Sequence, residues 1–474
     1  MELAKEVMAA DKSIVDKILR NEREREELYP EQSILDELRS ERVEDIAKAE
    51  KVLGRILDKV ELAREFLNLI PLYYDDAFNW WAWDSQEYYW RMVDEVDIMN
   101  MVSGAAEVNV INSKEKAELL NALKMAARCN KPKVISSRIL QFRRELVNFD
   151  TGDRFAASSD YFVTNPIPFK LGRYPDTEKF DKLFAEWVAP DEVQSLYEVL
   201  AYCLLPEYPI ERIIVLLGAG ANGKSTFLKI LYTLLGMRNI CSTSLEALSK
   251  SRFETTRLYK KLAVIIAETN LSNLENSQII KRLSSGKDVI PIEFKNKGLT
   301  EFVNYAKLII ATNNLPPTDD KTDGFYRRWK VIEFPNQFEK EIDVLSDLTT
   351  NDYENLACRC LNVLDDLLKR RCFTNDGDIA SRRVAYENKS NPFDKFWEDS
   401  ISEDNPDSDI PSWEFEKEYN IYLKANRLRS VSSKTIGKLM KDKGIEQGSK
   451  RVSWTDSDIA QEKKVRIWKG LSWK

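Results

Sequence analysis

One stretch of nine residues constrains the fold more than any other part of the chain. Residues 218–226 read GAGANGKST, which matches the pattern G-x-x-x-x-G-K-[ST] at every required position. The apolar run 213–217 precedes it, and 226–235 follows with the apolar spacing of a helix. A buried strand, a glycine-rich loop and a helix in that order form the loop that binds nucleotide phosphates. The alternative, a glycine-rich turn without a ligand, is disfavoured by this context.

The loop residues have separable expected roles. We expect Gly218, Gly220 and Gly223 to turn the backbone with positive φ, so that its amides converge on phosphates. Lys224 would reach the β- and γ-phosphates of ATP, and the Ser225 hydroxyl would bind Mg²⁺. The residues expected to contact the nucleotide are Gly218, Ala219, Gly220, Ala221, Asn222, Gly223, Lys224, Ser225 and Thr226.

Composition disfavours several other chemistries. The 474 residues leave room for roughly two to four domains, and 43% hydrophobic with 31% charged residues is typical of a globular protein. There is no histidine, and the six cysteines include no C-x-x-C pair, so we expect neither a zinc site nor histidine-based catalysis. No apolar run is long enough to cross a membrane, and the first residues show no signal peptide. We therefore expect a cytoplasmic protein without a membrane partner.

Charge is distributed unevenly along the chain. The formal net charge is −7, which by itself disfavours a nucleic-acid partner. Residues 424–474, however, carry fourteen Lys and Arg against five Asp and Glu. This asymmetry is typical of a chain with one basic module that binds a polyanion, although a solvated basic face would have the same composition.

Helical spacing and shifts in composition suggest five regions. They are a helical N-terminal region (1–70), a mostly helical lead-in domain (71–205), an α/β core (206–390), an acidic linker (391–412) and a C-terminal module (413–474). Within the lead-in domain we expect helices over 105–148. The aromatic-rich segment 71–98 predicts a short hairpin at 80–83 followed by a helix. Its rings could stack on nucleic-acid bases, but because basic residues are scarce around them we interpret them as core.

Three later strands would complete the α/β core. Apolar runs predict them at 262–267, 307–312 and 331–334, separated by helical segments. Glu268 follows the first of these runs, where a carboxylate can activate the attacking water beside the γ-phosphate and contribute to a Mg²⁺ site. A glutamate that merely ends a strand is the alternative.

Two polar pairs accompany the later strands. Asn313 and Asn314 follow 307–312 directly, where an amide can hold the lytic water and sense the γ-phosphate. Arg327 and Arg328 precede the last strand. Arginine suits the transition-state charge on a phosphoryl group, above all when a neighbouring subunit supplies it. Taken alone, the pair could instead contact the nearby carboxylates, which are Asp319, Asp320 and Asp323.

The order of these motifs resembles that of superfamily 3 helicases, and among them the phage, plasmid and archaeal-virus primase-helicase group related to the poxvirus replication ATPase. The segments that carry the resemblance are GAGANGKSTFLKILYTLLG, SRFETTRLYKKLAVIIAETN, KRLSSGKDVIPIEFKNKGLTEFVNYAKLIIATNNLP and GFYRRWKVIEFPNQF. Upstream, LPEYPIERI, DYFVTNPIPF and WWAWDSQEYYWRMVDEVDI are similar to the lead-in domain of that group. The resemblance spans residues 70–390.

The resemblance implies an AAA+-like α/β core that assembles as a hexameric ring around a DNA strand and binds ATP between subunits. It makes Asn313 the sensor and Arg328, with Arg327 beside it, the arginine finger. It also implies translocation from 3′ to 5′.

The same resemblance places a DNA-gripping hairpin at 290–300, with Lys295 and Lys297 at its tip. An exposed turn with lysines would have the same sequence. Two residues depart from the pattern of the group. Ala267 stands where many members have a metal-holding acid, and Lys287 separates a glycine and an aspartate that are usually adjacent. The first departure bears on the rate of hydrolysis more than on ATP binding.

The first half of the basic module predicts a capped helix. Ser432 can cap a helix over 432–444, with apolar residues on one side. Its opposite side would carry Lys434, Lys438 and Lys441.

The second half of the module predicts a basic strand at 463–470. Val465 and Ile467 would face one side of it, and the other side would carry Lys464, Arg466 and Trp468. A helix followed by a basic strand favours a winged-helix domain, which ends many members of the resembling group. The residues expected on the DNA phosphates of a fork or origin duplex are Lys434, Lys438, Lys464 and Arg466.

Together these patterns predict an ATP-driven DNA helicase or translocase that acts in the replication of a virus or plasmid. The N-terminal half has no histidine and no clear strand-borne carboxylate cluster, so we expect no primer synthesis by this chain, which leaves that step to a separate primase or polymerase. Two alternatives stay open at this point. One is a DNA-packaging or other P-loop motor, and the other is a non-enzymatic replication initiator that uses ATP only to assemble.

Overall fold

The computed structural model describes residues 59–106, 113–251, 253–267, 277–294, 299–339, 343–405, 407–425, 428, 430–456 and 459–474. The chain divides into two compact units, residues 1–135 with 156–164 and residues 136–155 with 165–474. The predicted helical region 1–70 is described from residue 59 onward, where Lys59–Leu69 is a helix. The other predicted boundaries stay predictions.

The helices and strands of the described residues are as follows. The α-helices are Lys59–Leu69, Glu95–Ala106, Ser113–Cys129, Glu178–Trp187, Val193–Leu204, Lys224–Leu235, Leu245–Lys250, Ser277–Leu283, Asp323–Tyr326, Thr350–Arg370, Ile379–Ser390, Pro392–Ser400, Ser412–Ala425 and Ser433–Asp442. The strands are β1 (Leu72–Tyr74), β2 (Trp80–Asp84), β3 (Tyr89–Val93), β4 (Ile139–Phe142), β5 (Glu145–Asn148), β6 (Arg154–Ala156), β7 (Ile213–Leu217), β8 (Ile240–Ser242), β9 (Ala263–Ala267), β10 (Val289–Glu293), β11 (Leu299–Val303), β12 (Lys307–Thr312), β13 (Trp329–Glu333), β14 (Ile401–Ser402), β15 (Asp409–Pro411), β16 (Gln447–Asp456), β17 (Ile459–Lys469) and β18 (Ser472–Trp473).

The first unit contains a small antiparallel sheet, β1–β2–β3, backed by helices. Trp80 lies opposite Val93 and is buried with it in the core of this unit. Trp90 is also buried, and its indole donates to the carbonyl of Tyr161 at 3.0 Å. The predicted hairpin is present but longer than 80–83, because these residues belong to one strand, β2, which pairs with β3, and β1 adds a third strand. The predicted core role of the aromatic rings is confirmed as well, since burial leaves these two indoles no room to stack on bases.

The second unit is built on a five-stranded parallel sheet with the strand order β13–β7–β12–β9–β8. The runs IIVLL and KLIIAT of β7 and β12 are buried along their whole length. Continuous apolar runs of this kind are typical of parallel strands, which are covered on both faces. The predicted strands are confirmed within one or two residues. The edge strand β8 has only three residues, which are too few to show a pattern in the sequence, and it was not predicted.

Helices cover both faces of this sheet. The sheet lies between two apolar clusters, one on each face. Val193–Leu204, Lys224–Leu235 and Thr350–Arg370 pack on one face, in the larger cluster. The other face carries Leu245–Lys250, Ser277–Leu283 and the buried ring of Tyr386. The result is an α/β core with three layers, as the sequence predicted for an ATPase-like fold.

The prediction of helices over 105–148 is wrong in its second half. After the helix Ser113–Cys129 the chain forms the antiparallel pair β4 and β5, in which Phe142 lies opposite Glu145. A two-residue turn joins the strands, and Arg143 in it has a φ of 53°. Strands of four residues show too little alternation to be told from short helical segments.

The predicted linker 391–412 begins with an ordered helix. Pro392–Ser400 buries Phe393, Phe396 and Trp397 in an apolar cluster of the C-terminal region. The spacing of these three residues places them on one side of a helix, a signal that the acidic and Ser-rich composition after them obscured. The cluster also includes residues of Ser412–Ala425 and Ser433–Asp442, so this helix packs with helices of the predicted C-terminal module.

Candidate nucleotide-binding site

The glycine-rich loop leaves the carboxyl end of β7 and enters the helix Lys224–Leu235, as predicted. Gly220 and Gly223 have φ values of 104° and 92°, in the left-handed region that favours glycine. Ala221 has a φ of 49°, which a residue with a Cβ adopts only at some cost in strain. The residue that precedes the helix is Gly223, which has no side chain to cap the first turn, so the amides there suit an anion.

Gly218 differs from the expectation of positive φ, because its φ lies outside that region. A Cβ at this position would overlap the Asn222 side chain and would lie 2.6 Å from the carbonyl oxygen of Phe334. Glycine is required here for space rather than for backbone conformation. The Asn222 amide occupies that space and donates to the Phe334 carbonyl at 3.0 Å.

Lys224 is buried, with 7% of its surface exposed. Its Nζ donates to the carbonyl oxygen of Gly218 at 2.6 Å and to Asn222 Oδ1 at 2.9 Å. Both acceptors are uncharged, and burial lowers the pKa of Lys224 to about 8. The amine is therefore folded back over the loop, where a phosphate group would supply the negative charge that these acceptors lack.

The other loop residues flank this amine. Ser225 and Ala219 are exposed, and Thr226 is half-buried. Ala221 accepts a backbone hydrogen bond from Phe338 at 2.8 Å, so the segment after β13 braces the loop from one side. An exposed Ser225 hydroxyl at the start of the helix fits the predicted contact with a metal ion bound to phosphates.

The strand register brings the predicted sensor next to the loop. Thr312 is the partner of Leu217, so Asn313 and Gly218 follow adjacent strand ends. The Thr312 hydroxyl donates to the carbonyl oxygen of Asn314 at 2.9 Å and thereby fixes this turn. Ala267 ends the next strand, β9, and is exposed. Glu268 lies outside the described residues, so its predicted roles stay predictions.

The arginine pair lies at the amino ends of the parallel strands, which form the amino edge of the sheet. The phosphate-binding loop follows the carboxyl ends of the strands, which form its carboxyl edge. The Ile213 amide donates to the Arg328 carbonyl at 2.6 Å, and Trp329 pairs with Ile213, so the pair lies beside the start of β7. The phosphate-binding loop follows the other end of that strand, roughly 16 Å away for five residues. Neither Arg327 nor Arg328 is therefore placed to contact phosphates bound to its own loop.

The two arginines differ in exposure, and the role of either one as the finger stays a prediction. The Arg328 side chain is 8% exposed and donates to the carbonyl of Gly324, whereas the Arg327 side chain is 45% exposed. Arg327 is thus the member of the pair that an adjoining molecule can reach. Burial lowers the pKa of Arg328, which nevertheless remains a cation.

Both arginines bond to a carboxylate that sequence reasoning missed. Glu211 Oε2 lies 2.6 Å from Arg327 Nη2 and 3.0 Å from Arg328 Nη2. Of the three nearby aspartates considered from sequence, Asp320 accepts instead from Lys281 at 2.7 Å. Glu211 stands more than a hundred positions before its partners, and only the pairing of β13 with β7 brings them together, so no local signal could have found it.

The two strands of the hairpin predicted at 290–300 are present. β10 and β11 pair antiparallel from Val289 opposite Val303 to Glu293 opposite Leu299. The tip residues Lys295 and Lys297 lie outside the described residues, and their contact with DNA stays a prediction.

The predicted C-terminal helix is confirmed as Ser433–Asp442. The Ser432 hydroxyl accepts from the Thr435 amide at 3.3 Å and caps it. Ile436 and Met440 are buried, and the lysines expected on the opposite side are exposed, namely Lys434, Lys438 and Lys441.

The predicted basic strand is confirmed as part of β17, with Lys464 and Arg466 exposed. Trp468 differs from these two residues in being buried, with 4% of its surface exposed, and it belongs to the C-terminal cluster. At this end β17 is the central strand of its sheet and pairs with β15 along one edge and with β16 along the other.

Two further features bear on possible roles of the described residues. None of their helices is both long enough and apolar enough to cross a membrane. Within the same residues, no three or more His, Cys, Asp or Glu side chains gather where they could hold a metal ion. Of the two predicted Mg²⁺ ligands, only Ser225 falls in the described part of the chain.

Comparisons with known proteins give partial matches. A family of unknown function, DUF5906, matches residues 216–328, which include the phosphate-binding loop and the arginine pair. The Acanthamoeba polyphaga mimivirus protein "Putative helicase L207/L206" is 30% identical over 175 residues. This match covers 35% of the chain and 18% of the mimivirus protein, so the chain corresponds to less than a fifth of that relative.

The chain is also similar to solved structures of a region called the NrS-1 C terminal region. An apo structure of its residues 305–718 has a TM-score of 0.45 at 14% identity, and the match covers 87% of this chain and 99% of that one. The A form apo structure has a TM-score of 0.43 with the same identity and coverage.

Proposed function

We propose that this protein is an ATP-driven DNA translocase that works as a ring-shaped replication helicase of a virus or plasmid. The observation that carries the proposal is the state of Lys224, a buried amine held by two uncharged oxygens at the mouth of a phosphate-binding loop. Such an amine gains a counter-charge when a triphosphate binds. The site thus suits ATP better than any neutral ligand.

The position of the arginines supports a site shared between subunits. Arg327 is exposed at the amino edge of the sheet, and the loop lies at the carboxyl edge. A head-to-tail arrangement of identical subunits brings one edge of each subunit against the other edge of the next, and it closes into a ring when the rotation permits. In that arrangement Arg327 would reach the neighbour's triphosphate and stabilise the charge that develops during hydrolysis.

Residues of this chain would also hold the metal ion and the water. Ser225 and Glu268 would bind Mg²⁺, which neutralises phosphate charge in this class of reaction. Glu268 would accept the proton of the attacking water, and Asn313 would hold that water in place.

Two basic features would contact DNA. The β10–β11 hairpin would carry Lys295 and Lys297 into the ring to grip one strand, with movement from 3′ to 5′. The C-terminal module, with Lys434 and Lys438 exposed on its capped helix, would bind duplex at a fork or origin as a winged helix does. The name of the mimivirus relative as a helicase agrees with this proposal.

An unwinding assay tests the proposal. The purified chain, a forked DNA duplex, ATP and Mg²⁺ should give strand separation and DNA-stimulated phosphate release. Lys224→Ala should abolish both, and particles imaged with an ATP analogue and DNA should be rings. Phosphate release without strand separation would favour a different P-loop motor.

Ala267 favours a second candidate function. It is exposed at the end of β9, where a metal-holding acid would be expected by resemblance. A chain without that acid could use ATP binding only to assemble at an origin. Nucleotide-dependent ring formation in which Glu268→Gln and the parent chain both release no phosphate would establish this initiator function instead.

A further inference from the structure

Glu211 links the two arginines through a single oxygen. It precedes β7, and its Oε2 lies 2.6 Å from Arg327 Nη2 and 3.0 Å from Arg328 Nη2. Its side chain is 25% exposed, between the exposure of its two partners. One carboxylate is thus shared between a buried cation and an exposed cation, and the three groups together keep a net positive charge.

We infer that Glu211 is a positioning residue that holds Arg327 in reserve until a neighbouring subunit's triphosphate competes for it. This inference rests on the proposed function, in which Arg327 acts in the site of the next subunit. Glu211 and a γ-phosphate are both anions, and a guanidinium bonded to one at 2.6 Å has to leave it to bond the other with full geometry. Ring closure would therefore exchange one ion pair for another.

Arg328 makes this exchange feasible. It is buried, its side chain donates to the carbonyl of Gly324, and its carbonyl accepts from the Ile213 amide at 2.6 Å. It therefore stays in place when Arg327 moves. Glu211 keeps a partner after the exchange, so no carboxylate is left without a counter-charge.

The backbone beside Glu211 is held in place, so the carboxylate can move only by rotation of its own side chain. Arg212 donates to Asp376 from Nη2 at 2.7 Å and from Nε at 2.9 Å, and Asp376 is buried. The Tyr208 hydroxyl donates to the Arg212 carbonyl at 2.6 Å. The backbone at Glu211 and Arg212 therefore keeps the carboxylate within reach of Arg328 when Arg327 moves toward a neighbour.

The expected effect is modest and has a definite direction. A partly exposed ion pair shifts an equilibrium by about two- to fivefold. Removing the pair should therefore lower the protein concentration at which subunits reach half of their maximal ATPase rate by about two- to fivefold. Damage to the structure would raise that concentration instead, so the direction of the change separates the two causes.

The experiment measures DNA-stimulated phosphate release per subunit against protein concentration, at saturating ATP and single-stranded DNA, for the parent chain and Glu211→Gln. Glu211→Asp serves as a second variant, because it keeps a negative charge beside Arg328 while shortening the reach to Arg327. The matched control is Glu246→Gln, which removes an exposed pair with Lys250 elsewhere on the surface. Both Glu211 variants should lower the half-maximal concentration, and the control should leave it unchanged.

Arg327→Ala in the same assay distinguishes a failure of the proposed shared site from a failure of the proposed role of Glu211. If Arg327→Ala keeps the parent activity, the proposed shared site is wrong. If Arg327→Ala is inactive while the Glu211 variants match the parent or need more protein, only the reserve role of Glu211 is overturned. A lower half-maximal concentration in both variants supports it.

Discussion

The two edges of the parallel sheet hold their buried cations differently. At the carboxyl edge, Lys224 bonds to two uncharged oxygens, those of Gly218 and Asn222. At the amino edge, Arg212 and Arg328 each bond to a carboxylate. Burial beside neutral acceptors lowers the pKa of Lys224 to about 8, and an anion that binds there removes this cost. The carboxyl edge is therefore incomplete without an anion, whereas each of these buried cations at the amino edge already has a carboxylate partner.

The largest expected effect comes from removing the cation of the carboxyl edge. Lys224→Ala should lower DNA-stimulated phosphate release by about 10²- to 10³-fold, since it deletes a preorganised charge aimed at the phosphates. Phosphate release and the binding of a fluorescent ATP analogue measure it. Lys229→Ala is the matched control, because Lys229 is exposed on the same helix. Equal activity of the parent and Lys224→Ala would show that ATP hydrolysis does not need the buried cation of the carboxyl edge.

Removing Arg327, the exposed cation of the amino edge, should lower the rate of ATP hydrolysis and leave ATP binding nearly unchanged. Arg327→Ala should lower phosphate release by about 10²-fold or more while ATP affinity changes little, since the nucleotide stays bound to the loop of its own subunit. Mixing this variant with Lys224→Ala should restore part of the activity, because each supplies the edge that the other lacks. Arg173→Ala, an exposed arginine outside the sheet, controls for lost charge. Absence of restoration would contradict a shared site.

The contrast between the edges also explains what sequence could predict. The phosphate-binding loop is contiguous, so its strand, turn and helix were readable from residues 213–235 alone. The error at Gly218 arose because its neighbour Phe334 is remote in the chain. The amino edge depends on the pairing of β13 with β7, which no local pattern reveals, so the sequence indicates neither the contact with Glu211 nor which of the two arginines is exposed.

The lowered pKa of Lys224 should make the affinity for ATP depend on pH. Lys224 of the nucleotide-free protein loses its proton as pH rises through about 8, whereas an amine bound to phosphate keeps it. ATP affinity should therefore fall as pH rises, by about 25-fold between about pH 7.5 and about pH 9.5. Equilibrium binding isotherms across this range measure the change. Lys224→Arg, whose guanidinium does not titrate there, should bind more weakly and with a flat profile, and a flat profile in the parent would refute the lowered pKa.

The smallest expected effect concerns stability, and it tests whether Arg328, the buried arginine of the pair, stabilises the fold more than Arg327 does. Arg328→Ala should lower the free energy of unfolding by about 1–2 kcal/mol, because it removes the hydrogen bond to the Gly324 carbonyl and the inner partner of Glu211. Arg327→Ala should cost less than about 1 kcal/mol, since its pair is partly exposed. Urea unfolding of both variants gives the comparison. If Arg327→Ala were the more destabilising of the two, Arg327 would be a structural residue, and an exchange of its partner during ring closure would be too costly to serve catalysis.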